Sequence, residues 1–331
     1  MSPLLTKIVS GFALFCLVIL IALLYEGVDR IVHARMQRRF GPPLLQPFYD
    51  VIKLLGKESI VPRRAVRAVF QASPWMAMAL TLLIFLYIPI GSIPPILAGN
   101  GDIILILYLL AASAVMMVIG GFASGSPYAN VGSQREMVLM MSYELPLALV
   151  VLTLAWLVYK RGVPGAPFSL ETFVSVPVWN TVGLIGGMGI FALLLSLLGV
   201  VPAEVGKVPM DIAEAKTEIL EGFLAEYSGR NLALFKLTFA LRSLAMSALL
   251  VPLFFPFSLG KLFGLNGASF VLVDFIWFWV KVFLVQIVAI TVVRTMYGRF
   301  KIWQASQFYW FQMGGLALAG MVLVTLDVMF F

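Results

Sequence analysis

Eight runs of predominantly apolar residues, each about as long as the roughly 20 residues a helix needs to cross a bilayer, restrict this chain more severely than anything else in it. They lie approximately at 5–25, 74–97, 102–122, 135–159, 181–201, 231–255, 270–293 and 308–330. Lipid offers the backbone no hydrogen-bond partner, so runs of this length predict helices and an all-α, polytopic integral membrane fold. Only 12% of the residues are charged, against about 25% in a soluble domain. No repeat, low-complexity tract or soluble domain interrupts the pattern, so residues 1–331 read as a single integral membrane domain. The first run is too long for the apolar core of a cleaved signal and reads as a retained span.

The net charge of +7 does not indicate nucleic-acid binding, because its cations sit between membrane segments and no folded basic domain carries them. Connections at about 26–73, 123–134, 202–230 and 294–307 hold most of the Lys and Arg. The opposite side has only Lys7, Lys160, Arg161 and Lys261. The positive-inside bias makes the rich side cytoplasmic and places both termini outside. The lone Cys16 lies within the first run, which leaves no thiol set for a disulfide or a cluster. His33, alone in a basic connection, makes no metal site.

Carboxylates are scarce, yet Glu204, Asp211, Glu214, Glu218, Glu221 and Glu226 crowd between the fifth and sixth runs. Spacings of three, four and three from Asp211 to Glu221 predict one acidic ridge if the segment is helical. Such a row suits protons or cations; the plainer alternative is salt bridging to neighbouring cations. Glu144 lies inside the fourth run beside Pro146, which frees a backbone carbonyl, so a proton site or a structural hydrogen bond both fit. Glu136 stands at the mouth of that run and is expected to pair at the surface next to Arg135. Arg242 is too deep in the sixth run to snorkel and calls for a carboxylate partner, either Glu144 or a member of the ridge. Asp274 and Lys281, seven apart in the seventh run, share a face and with Gln286 form a secondary polar stripe. Asp327 is expected to face water. In the first connection, residues 47–57 alternate apolar and polar side chains with helical period, as an interfacial amphipathic helix does.

Three long segments carry a family resemblance: ARMQRRFGP with LLQPFYDVIKLLGKE (34–58), GSQREMVLMMSYELP (132–146) and VPMDIAEAKTEILEGFLAEYSG (208–229). In this order they resemble the membrane subunit that docks the peripheral redox arm in respiratory complex I and in energy-converting, membrane-bound nickel–iron hydrogenases. The resemblance implies a non-redox subunit that anchors the arm and couples electron transfer to ion pumping. It implies a carboxylate path over Glu144, Asp211, Glu214, Glu218, Glu221 and Glu226, with Glu136 beside it, and docking at Arg35, Arg38 and Arg39 with Gln46 and Asp50. Partners would be hydrogenase-like large and small iron–sulfur subunits, antiporter-like membrane subunits and membrane lipid. Iron–sulfur clusters, and in a hydrogenase a nickel–iron centre, would belong to those partners, with no cofactor or metal on this chain.

Two departures bear on the branch. In the quinone-reducing form several residues usually separate the Gly-Pro from the Leu-Leu-Gln-Pro, whereas Gly41–Pro42 here runs almost directly into Leu44. The last connection, RTMYGRFKIWQASQFYW, also lacks the fuller basic and aromatic pattern. Both resemble the hydrogenase branch or its sulfur-reducing relative. A quinone-site subunit of complex I is the alternative; an independent transporter fits less well without internal repeats.

Overall fold

A computed structural model describes residues 3–330. Nine helices organise it: α1 (Pro3–Met36), α2 (Gln46–Leu55), α3 (Arg67–Ile84), α4 (Asp102–Ala123), α5 (Pro127–Lys160), α6 (Leu184–Val205), α7 (Gly229–Phe254), α8 (Gly267–Met296) and α9 (Ile302–Phe330). All but α2 are long and apolar enough to cross a membrane, so the fold is all-α and polytopic. The amphipathic stretch of the first connection is α2, whose exposed face carries Tyr49, Ile52 and Leu55.

Several boundaries differ from those the apolar runs suggest. With 34 residues, α1 is about 50 Å long at 1.5 Å per residue, well beyond the hydrocarbon core. Glu26, Asp29, Arg30 and His33 are therefore helical rather than part of a connection. The second span begins seven residues earlier, at Arg67, and stops at Ile84. Pro89, Gly91, Pro94 and Pro95 deny the following segment a helical ladder. Because α5 starts at Pro127, the connection before it shrinks to residues 124–126.

Helix α7 is the axis of the bundle: 89% of its membrane window is buried, against 22% for α1. Helices α3, α6 and α8 all pack on it. Asp327 of α9, expected at the water interface, is fully buried instead. It accepts the backbone N–H groups of Gly183 and Gly186 at the start of α6, at 3.0 Å, and the Arg161 guanidinium at 2.8 Å. A helix N-terminus and an arginine together satisfy a carboxylate that water would otherwise have to hold.

Candidate functional site: a file of carboxylates

The acidic connection is not one helix. After α6, Gly206 turns the chain in the left-handed region, and residues 212–214 make a single 3₁₀ turn. Lys216–Ile219 makes one α-turn, and Leu220, Glu221 and Gly222 then all take positive φ. The expected ridge is thereby broken, and its acids are separated rather than stacked. Asp211 receives Arg299 in a two-pronged pair, Nε at 2.8 Å and Nη2 at 2.5 Å. Glu218 receives Arg135 at 2.6 Å, and Glu221 pairs with Lys216 at 2.9 Å. Glu226 enters no ion pair among the described residues. Opposite charges thus replace the like-charge repulsion that a continuous ridge would impose.

One acid, Glu214, is directed inward. It lines a cavity of about 240 Å³ with Glu26, Arg30, Asp50, Lys207 and Lys236. Lys207 donates to Glu26 at 2.8 Å, Arg30 bridges Glu26 and Asp50, and Gln46 donates to Asp50 at 2.9 Å. Burial, reinforced by the negative charge of Glu136 and opposed by Lys207, pushes the Glu214 carboxyl up from 4.5 to about 8. The folded state therefore holds a proton that the unfolded chain has lost, and stability falls as pH rises from about 4.5 to about 8. Amide exchange across residues 205–229 of the purified complex, corrected for its intrinsic pH dependence, is expected to be faster at pH 9 than at pH 6. Glu214→Gln is expected to flatten that difference; an unchanged difference would assign it to another group.

Deeper in, Glu136 is buried and within electrostatic reach of Arg242 and Glu204. It does not pair at the surface: one residue along a helix turns the side chain by about 100°, so Arg135 faces the connection while Glu136 faces the core. Arg242 donates to Glu204 at 2.8 Å, with side-chain exposures of 1% and 2%. The partner is neither Glu144 nor the connection, because α6 continues to Val205 and brings Glu204 against α7. Tyr143, buried two turns beyond Glu136 on α5, lies within electrostatic reach of this group. Glu144 forms no ion pair among the described residues and, with Glu204, lines a mainly apolar cavity of about 370 Å³ between α4 and α5. The acids thus follow one another from the connection to membrane depth: Glu214, Glu136, Glu204, Glu144.

Of the residues picked out for docking, Arg35, Arg38 and Arg39 are exposed at the end of α1, around Phe40, which is 92% exposed. Gln46 and Asp50 are instead held within the inner cavity's hydrogen bonds. Asp274 and Lys281 share a second cavity, of about 320 Å³, at the other end of α7. Asp274 accepts from Ser258 and from the Gly260 N–H, and Lys281 donates to the Phe255 and Phe257 carbonyls at 2.7 and 3.0 Å. Sequence reasoning missed Asp29 as a structural group: it accepts from Thr291 at 2.6 Å and Arg294 at 2.7 Å, tying α1 to α8.

Comparison with known proteins gives this arrangement a class, the membrane subunits of respiratory and hydrogenase-type complexes. The NADH dehydrogenase family matches residues 9–325, and the chain belongs to it. Hydrogenase-4 component C of Escherichia coli is 34% identical over 249 residues, covering 74% of this chain and 75% of that protein. A membrane subunit of the NADH-quinone oxidoreductase of Dehalococcoides mccartyi is 33% identical over 325 residues, covering 96% and 85%. A chain of the membrane-bound sulfane sulfur reductase, an archaeal respiratory membrane complex, superposes with a TM-score of 0.82 at 25% identity, covering 96% of this chain and 99% of that one.

Proposed function

We propose that this chain is the non-redox membrane anchor and ion-coupling subunit of a ferredoxin-linked, hydrogenase-type respiratory complex in the plasma membrane. The observation that carries this reading is the file Glu214, Glu136, Glu204 and Glu144, which leads from a connection tied by ion pairs into the bundle. Peripheral hydrogenase-like large and small subunits carry the iron–sulfur clusters, and the nickel–iron centre where there is one. Antiporter-like membrane subunits stand alongside. The exposed Arg35, Arg38 and Arg39 offer the arm a basic edge, and the acidic connection faces the cytoplasm with both termini outside.

A quinone site is the competing reading, suggested by the NADH-quinone oxidoreductase relatives. The short connection between α1 and α2 speaks against it. The Leu44 carbonyl lies where a side chain on Gly27 would begin, so this connection lies flat on α1.

The test uses the intact complex in inverted vesicles driven by reduced ferredoxin. Glu144→Gln is expected to lower ion translocation about a hundredfold, the low end of what a positioned acid–base group supplies, while uncoupled electron transfer continues. Undiminished translocation would overturn the coupling role. Electron transfer that requires added quinone would establish the competing reading.

A further inference from the structure

Helix α7 lines both cavities. Its Leu232, Lys236, Phe239 and Ala240 face the inner one, and Val251 and Pro252 the outer one. Between Ala240 and Val251 the only polar residues are Arg242, Ser243 and Ser247, all buried. Arg242 Nε and the hydroxyls of Ser243 and Ser247 have no hydrogen-bond partner in the protein, although Thr238 one turn earlier donates to the Leu234 carbonyl at 2.8 Å. Ser243, Ser247 and Val251 are four residues apart, so they stack on one ridge in steps of about 6 Å. Buried hydroxyls in that situation take up bridging water.

We propose that Ser243 and Ser247 form the outward limb of a proton path within this chain, from the Glu204–Arg242 pair to the cavity around Asp274 and Lys281. The proposal rests on the ion-coupling reading and gives it a second exit, separate from the apolar cavity beside Glu144. Glu204, when protonated, gives its proton to a water at Ser243. Each hydroxyl or water on the ridge then accepts one proton and releases another, so one O–H bond breaks for each that forms and no electron moves. Two hydroxyl oxygens on one helix do not make a coordination shell for a metal cation, and Arg242 repels one at the constriction. The path is therefore specific for protons. The outer cavity is polar enough to receive them, lined by Glu171, Asp274, Lys261 and Lys281.

The plainer account of Ser243 and Ser247 is that small residues four apart let helices approach closely. Alanine separates the two accounts, because it keeps the approach and removes the hydroxyl. In the intact complex in inverted vesicles, S243A/S247A is expected to slow proton translocation roughly tenfold, equivalent to about 1.4 kcal/mol on the transfer barrier, with uncoupled electron transfer unchanged. Full-rate translocation in S243A/S247A beside a failing Glu144→Gln overturns the outward limb and leaves the coupling reading standing. Full rates in both overturn both. Should the double variant not assemble, S247A alone decides by the same slowing or full rate. Translocation that needs sodium and survives a protonophore overturns the proposal as well.

Discussion

Arg242→Met is expected to remove most of the complex from the membrane. It leaves Glu204 charged and 2% exposed, with no water to replace the guanidinium. Breaking a buried pair from one side costs about 3–5 kcal/mol, a large share of the roughly 5–15 kcal/mol that holds an ordinary domain. The double variant Glu204→Gln/Arg242→Met leaves no unpaired charge and is expected to return the chain to near wild-type abundance, since a buried pair and an apolar replacement of similar volume are often equivalent. Its translocation should stay lost, because the file is then interrupted between Glu136 and Glu144. Immunoblots of washed membranes and thermal melts of the solubilised complex read the first effect, and vesicle assays the second. Equal abundance in the single and double variants would show that the pair does not hold α6 to α7.

That pair also marks how far the sequence could be read. A lone cation deep in an apolar run announces that it needs a carboxylate, and one lay within reach in Glu204. Spacing along one helix says nothing of which neighbouring helix its side chain meets, so Glu144 and the connection seemed equal candidates. The eight spans were legible because lipid demands long apolar helices, but their ends were not, since α1 continues through a polar stretch that is still compatible with a helix. The spacing of Glu26, Asp29, Arg30 and His33, three to four apart, was the available signal for that extension.

In the acidic connection a genuine helical period was present and misled. Leu220 and Glu221 take left-handed conformations that side chains ordinarily avoid, and nothing in their identity announces it. The ion pairs of the connection, Arg299 to Asp211 and Arg135 to Glu218, come from segments 88 and 83 residues away, beyond the reach of local pattern. The same distance effect hid Asp327, whose partners at Arg161, Gly183 and Gly186 lie on other elements. A carboxylate near the end of a span looks wet until packing brings an arginine and a helix start over it.

Gly222→Ala is expected to uncouple the complex without removing it from the membrane. Gly222 has φ +56°, and a side chain there would run into the Ala213 carbonyl, part of the 3₁₀ turn that presents Glu214. Gly132 of α5 closes the other side, since its own Cβ would lie 2.9 Å from the Gly222 Cα. The left-handed conformation costs alanine about 1–2 kcal/mol, and the contact adds to it because backbone on both sides cannot give way. The eight spans do not depend on this turn, so the chain should insert normally, while residues 211–224 open and Glu214 leaves the inner cavity. Limited proteolysis should then cut within the connection, and translocation should fall to the level of Glu144→Gln. Gly162→Ala is the control, for Gly162 has φ +62° with nothing within 4 Å, so it carries the conformational cost alone. If the two variants behave alike, the close approach at Gly222 plays no part in holding Glu214 at the head of the file.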